Sequence, residues 1–238
     1  MKKLDRSLAN TPTCLNNLSY PTHNWDNMRN KGKNETTSRK SQVWVELDKM
    51  QNGLCVYCES IAYKGKFTGH IEHFFDKANP LYKHRVLDWN NLFGCCVSTT
   101  HCGHYKDQIL SSINGVQVKR KYDSNLLLKP DVDDPTEYLQ YLPSGKIKPK
   151  NGLSEHRQNR AKETIKALNL SSSELNSARE AQILFFKKRE NEMIEEIFNE
   201  SDENNRDIII VEYKKLKKQS ELSPFRTAIK QTIQWLSI

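Results

Sequence analysis

No apolar run in these 238 residues approaches the roughly 20 that a membrane-crossing helix requires. Only 36% of the residues are hydrophobic, while 28% are charged, so modest cores and an extensive polar surface are expected. The opening Met1-Lys2-Lys3-Leu4-Asp5 has the lysines of a secretory leader but no apolar stretch behind them, and the expectation is a cytoplasmic chain with no membrane partner. No internal repeat is present. The length suits one large domain or two small ones sharing a core.

Acidic residues are the minority, 29 against 37 Lys and Arg, for a net charge of +8. That surplus suits a polyanionic partner, with phosphate backbone the first choice, although a solvated basic surface has the same composition. A reducing compartment also excludes disulfides as the role of the six cysteines. Five of them, Cys55, Cys58, Cys95, Cys96 and Cys102, fall in one window, and this clustering points to metal. Cys14 stands outside it as a structural residue.

Residues 1–37 are polar, basic and without periodicity, which predicts a loosely held N-terminal arm. A first helix is expected from Ser38 or Ser41, with Trp44, Leu47 and Met50 on one face and a stop at Asn52-Gly53. Residues 38–110 then hold the Cys- and His-rich unit, with a short strand over Phe67–Phe75 and a helix beginning near His104. Residues 111–150 read as a hairpin and loops, because Asn114-Gly115 is a strong turn signal and four prolines break any long element. Residues 151–238 read as helices, and Ser171-Ser-Ser-Glu174 has the form of a capping box. Ser223-Pro224 announces the last of them. The β-branched run Ile208–Tyr213 fits a strand as well as a helix.

Cys55-x-x-Cys58 sets two thiolates on a tight turn, able to reach one zinc at ~2.3 Å. Cys96 and Cys102 are the best second pair, with Cys95 or His101 as the substitute for one of them. Between the pairs lies Ile71-Glu72-His73-Phe74. A carboxylate beside an imidazole can divide the labour of phosphodiester hydrolysis: Glu72 would hold a hard divalent cation, Mg²⁺ or Mn²⁺, and His73 would act on a water. A half-buried strand whose histidine only packs is the plain alternative. Lys77, Arg85 and Lys106 flank this stretch as candidate phosphate contacts. His23, His84 and His156 have no informative partners.

Taken with Trp89-Asn90-Asn91-Leu92 before the second cysteine cluster and His104 after it, these motifs resemble the HNH endonuclease family. The resemblance implies an α+β fold, with a zinc-braced ββα-metal core followed by a mainly helical C-terminal region. It also implies that Glu72 ligates the catalytic metal, His73 is the general base, Asn91 fixes the loop that orients it, and His104 is the second metal ligand. Gly103 occupies the slot where that family places its helix ligand directly after the last cysteine, so the helix assignment stays open by one residue. A narrower likeness, carried by Cys55-Val-Tyr-Cys58-Glu59, Ile71–Phe74, Trp89–Leu92 and Thr164–Leu170 with Leu175 and Arg179, is to the HNH proteins of retron and Septu anti-phage systems. It implies a nuclease effector paired with an SMC-like ABC-type ATPase, sometimes beside a retron reverse transcriptase and its RNA-DNA product. The helices of residues 151–238 would then be the partner platform, with Phe185, Phe186 and Phe198 as candidate contacts. DNA is the expected substrate, with RNA as the alternative. The competing functions are a zinc-braced module that binds nucleic acid without cutting, and an adaptor for the ATPase.

Overall fold

Ser38 starts the first helix as the sequence predicts. Its hydroxyl accepts from the Ser41 amide at 3.3 Å, and α1 runs Arg39–Gln51 with Val43, Trp44, Leu47 and Met50 buried. Asn52 ends it in the left-handed region at φ 55°, a conformation that asparagine tolerates. The last residue of α1, Gln51, is buried and behaves like a fragment of strand. It accepts from the Gly94 amide at 2.7 Å and donates to the Gly94 carbonyl at 2.8 Å.

The structure is a computed structural model that describes residues 1–29, 37–65, 67–113 and 116–238. It is α+β, with three two-stranded antiparallel sheets among the described residues. Strand β1 (His70–His73) pairs with β2 (Leu92–Cys95), setting Glu72 opposite Phe93 and His73 opposite Leu92. A short helix, α2 (Cys102–Lys106), follows. Strands β3 (Ile109–Ile113) and β4 (Val116–Lys119) form the second sheet, and β5 (Leu139–Tyr141) with β6 (Ile147–Pro149) the third. The turn expected at Asn114-Gly115 lies outside the described residues. Four helices complete the chain: α3 (Glu155–Ala167), α4 (Ser173–Asn199), α5 (Glu203–Leu222) and α6 (Arg226–Thr232). None of the described helices is long and apolar enough to cross a membrane.

Several expectations need correction. Residues 1–29 are not a loose arm: Met1 and Leu4 join the core of Phe74, Phe93 and Leu128, while Cys14, Leu15 and Met28 pack with Trp44 and Leu47. Met1 and Leu4 lie on irregular backbone, and Cys14, Leu15 and Met28 sit on short 3₁₀ turns at Thr13–Leu15 and Trp25–Met28, so none has a period long enough to read. The first strand is shorter than expected, because Phe67 is 84% exposed and the ladder with β2 begins only at His70. Of the two readings open to the run Ile208–Tyr213, the helix is the one found: it belongs to α5, where Tyr213 is buried against Met193 and Ile197 of α4. The last helix begins at Arg226 instead of Ser223, because Phe225 takes a left-handed φ of 58° and gives its amide to the Glu59 carbonyl at 3.0 Å. Phe186 is a core residue, 1% exposed, whereas Phe185 and Phe198 do face outward.

Glu59 links the cysteine turn to the end of the chain. Its carboxylate accepts from the Thr227 amide at 3.0 Å and the Thr227 hydroxyl at 2.6 Å, so the residue after Cys58 is tied to α6 on both its backbone and its side chain.

Candidate metal centre and adjoining cleft

Cys55 and Cys58 lie on a turn closed by hydrogen bonds from Cys55 N to Ser60 O at 2.7 Å and from Glu59 N to Cys55 O at 3.0 Å. Val56 N donates to Gly94 O at 3.0 Å, which docks that turn beside β2 and its terminal cysteines. Cys102 comes from the start of α2, where its amide is held by the Leu168 carbonyl at 2.8 Å. These three anchors bring the sulfurs of Cys55, Cys58, Cys96 and Cys102 together, buried, all within 4.8 Å of one another. The Cys55–Cys102 and Cys58–Cys96 sulfur separations are both 3.9 Å. A tetrahedral zinc with ~2.3 Å bonds holds its sulfurs about 3.8 Å apart, so this donor set fits zinc in type and spacing. Burial pushes the thiols up, yet hydrogen bonds from neighbouring sulfurs bring Cys55 down to about 5 and Cys58 to about 6, while Cys102 stays raised. A dication at the centre would let all four ionise together.

The two alternates border the cluster. Cys95 Sγ is 3.7 Å from Cys55 Sγ and accepts from the Gly103 amide at 3.4 Å. His101 Nδ1 lies 3.1 Å from Cys102 Sγ and 3.9 Å from Cys96 Sγ.

Beside the cluster, a cleft of about 210 Å³ is lined by Glu72 and His73 of β1 and His104 of α2, together with His70, Asp76, Lys77 and Asp107. The structure therefore brings three of the four sequence-predicted catalytic residues to one cavity. Glu72 is buried against Gly103, with Tyr57 Oη donating to its Oε1 at 3.3 Å. Burial pushes its carboxyl up, but the Lys106 ammonium, 3.1 Å away, and His70 outweigh this and hold it at about 2. It is an anion at neutral pH.

His73 is also buried. Its Nε2–H donates to the Val86 carbonyl at 3.0 Å, which leaves Nδ1 as the acceptor. Burial first, then the charge of Lys77, lowers its pKa to about 4, so the ring is neutral at pH 7. Asn91 does not line the cleft. It is fully buried and ties the loop after β1: Phe75 N donates to its Oδ1 at 2.8 Å, and its Nδ2 donates to the carbonyls of Phe75 and Arg85, each at 3.1 Å. Arg85 precedes the Val86 whose carbonyl holds His73, so Asn91 braces both ends of that support. His104 is exposed on α2, with Nδ1 3.3 Å from the Val97 carbonyl. Partial desolvation of the ring where it stacks on His70, then the charge of His70, lowers its pKa.

Two of the three predicted phosphate contacts are otherwise engaged. Lys106 is not on the surface: it is 0% exposed, its ammonium bonded to Asp107 at 2.8 Å and to the His73 and Phe74 carbonyls at 3.3 Å each. Arg85 pairs with Asp88 at 2.9 Å and lies over the Phe75 ring. Lys77 lines the cleft, 5.8 Å from the ring of Trp25.

Two residues of the site are not among those expected from the sequence. Trp25 meets His73 edge-on, ring centroids 4.4 Å apart, and nothing in its local sequence announces this. His70 stacks on His104 at 3.9 Å, with Nε2 3.4 Å from Glu72 Oε2. Its signal was available, since residues two apart on a strand share a face.

Fold and site together define an α+β protein with a buried four-cysteine cluster able to hold a metal ion and an acid–imidazole cleft beside it. Over 121 residues the chain is 32% identical to the Septu protein PtuB of Bacillus mycoides (strain KBAB4), covering 44% of this chain and 40% of that protein. It thus spans well under two thirds of that relative's length. No protein-family model matches the chain.

Proposed function

We propose that the chain is a metal-dependent HNH endonuclease of a Septu-type anti-phage system, in which β1, β2 and α2 form the ββα-metal core and the four cysteines hold a structural zinc. The observation that carries this reading is the meeting of an ionised, buried Glu72, a neutral, carbonyl-anchored His73 and His104 at one cleft. Support also comes from the similarity to a Septu protein. Glu72 and His104 would hold a divalent ion, Mg²⁺ or Mn²⁺, which when bound supplies positive charge to the phosphate and the leaving oxygen. A carboxylate oxygen with an imidazole nitrogen is a donor set that Mn²⁺ accepts readily and Mg²⁺ accepts with waters filling the rest.

His73 takes the proton of the attacking water at Nδ1, because Nε2–H is committed to Val86 O. The carbonyl contact disperses the charge that the ring gains and fixes its direction. Asn91 acts as a positioning residue through the Phe75–Val86 loop. Lys106 keeps Glu72 ionised instead of gripping substrate. Lys77 and the net charge of +8 suit a nucleic-acid substrate, DNA ahead of RNA. The partner would be an ABC-type ATPase, for which the outward Phe185 and Phe198 of α4 are candidate contacts.

A second reading, a zinc-braced nucleic-acid-binding module, is favoured by one observation: Lys106 already neutralises the carboxylate that the ion would need. Cleavage of plasmid DNA and of RNA by the chain reconstituted with the ATPase, with and without Mg²⁺ or Mn²⁺, decides between them. The nuclease reading expects metal-dependent cutting that His73→Ala abolishes while zinc content and assembly persist. Equal cutting by wild type and variant refutes the role of His73, and binding without cutting under every condition favours the module.

A further inference from the structure

A second cleft, about 580 Å³, opens between α5, α6 and the segment near Asp134, and shares no lining residue with the cleft at Glu72. Its walls hold five cationic side chains, Lys2, Lys3, Lys217, Arg226 and Lys230, against two carboxylates, Asp134 and Glu221. The volume lies in the range of small-ligand sites, roughly 300–1,000 Å³. Lys3 is partly spoken for, its ammonium reaching the Val132 carbonyl at 2.5 Å.

The residue that distinguishes this cleft from a solvated basic surface is Arg226. Its side chain is only 10% exposed, and its pairing with Glu59 is long, at 4.0 Å. Both Glu59 oxygens are already taken by Thr227, at 2.6 and 3.0 Å. Among the described residues, the buried Arg226 Nε has no hydrogen-bond partner. A nearly buried guanidinium with an incomplete counter-charge is costly unless an anion completes it, and its planar fork matches a phosphate. Burial, then Arg226 and Lys230, lowers the Lys2 pKa, the mark of cations crowded together. Trp235 lines the same cleft, edge-on to Tyr213 at 5.8 Å, and an indole there offers a stacking face for a base.

We propose that this cleft is a phosphate-binding site, taking the phosphates of a nucleotide or of a nucleic-acid strand among Lys217, Arg226 and Lys230, with a base against Trp235. The two sources share one chemistry and differ in size. The site is independent of cutting at His73.

The test is calorimetric titration of the full chain with inorganic pyrophosphate, ATP and a short single-stranded oligonucleotide, repeated on Lys217→Glu/Lys230→Glu, Arg226→Lys, Trp235→Phe and His73→Ala. Circular dichroism and thermal melting verify that each variant is folded. We expect pyrophosphate and ATP to bind, and the double charge reversal to weaken both by about tenfold or more. Arg226→Lys should weaken them less, since it keeps the charge and loses the fork. Trp235→Phe should weaken ATP and leave pyrophosphate unchanged, and His73→Ala should bind as wild type. Binding of the oligonucleotide alone, lost in the double variant, supports the site and assigns its phosphate to a strand. Absence of binding by all three probes, or binding undiminished in the folded double variant, overturns the proposal.

Discussion

The Lys106 ammonium lies 3.1 Å from Glu72 Oε1, and neither side chain is more than 5% exposed. An ion pair this deep holds its members only while both are present. Lys106→Met should strand a buried carboxylate and destabilise the fold by about 3–5 kcal/mol. Adding Glu72→Gln should recover much of that loss. Urea unfolding of the two single variants and the double variant measures the coupling, and additive losses would show the pair to be energetically idle.

The same pair has a pH signature. Glu72 titrates at about 2 in the folded chain, against its ordinary 4.5. Because the folded pKa is depressed, its contribution is complete above about 4.5 and is lost as pH falls toward 2. The destabilisation by Lys106→Met should therefore be largest above pH 4.5 and shrink as pH falls toward 2, where protonation removes the charge that the lysine balances.

His73 gives a second titration. The unfolded ring binds its proton at 6.5 and the folded ring at about 4, so the stability of the neutral ring is present above 6.5 and lost as pH falls toward 4. If His73 is the base proposed above, the acid limb of kcat/KM should fall near pH 4 instead of 6.5. Trp25→Ala opens the ring to water and should move that limb back toward neutrality. An acid limb that does not shift in the folded variant would mean that Trp25 does not shape the environment of His73.

Metal content separates the cysteines. Cys55→Ser, Cys58→Ser, Cys96→Ser and Cys102→Ser should each lose stoichiometric zinc and lower the melting temperature, while Cys95→Ser and His101→Ala should keep the metal. Chelation of wild type should reproduce the lower melting temperature. Zinc retained by Cys96→Ser and lost by His101→Ala would move the fourth ligand to the imidazole.

Asn91→Ala removes three hydrogen bonds from the loop that carries the His73 support. Their loss should cost about 2–4 kcal/mol in stability and lower kcat more than it raises KM, the mark of a positioning residue.

What could be read in advance was local. Ser38 and Asn52 announce the ends of α1 because capping chemistry involves only neighbours. The Cys-x-x-Cys turn reads for the same reason. Cys96 and Cys102 were the best second pair in the sequence and are the pair that clusters with Cys55 and Cys58, but only the docking of β2 and α2 sets Cys96 apart from Cys95 and His101. Lys106 reads as a surface cation until two carboxylates from different elements enclose it. Trp25 and the apolar residues of 1–29 could not be assigned to the core from the sequence, because isolated residues on irregular backbone or single 3₁₀ turns leave no periodic trace. The left-handed Phe225 displaced the expected start of α6, since its amide answers to Glu59 far back in the chain.

That tether has a mechanical side. With Glu59 gripping Thr227 and Phe225, the sulfur turn and the C-terminal bundle are coupled in series, and a protein that levers α6 would tug on Cys58 within a residue's reach. A cobalt-substituted chain, whose colour follows the symmetry of its thiolates, would then report the docking of a partner as a spectral change.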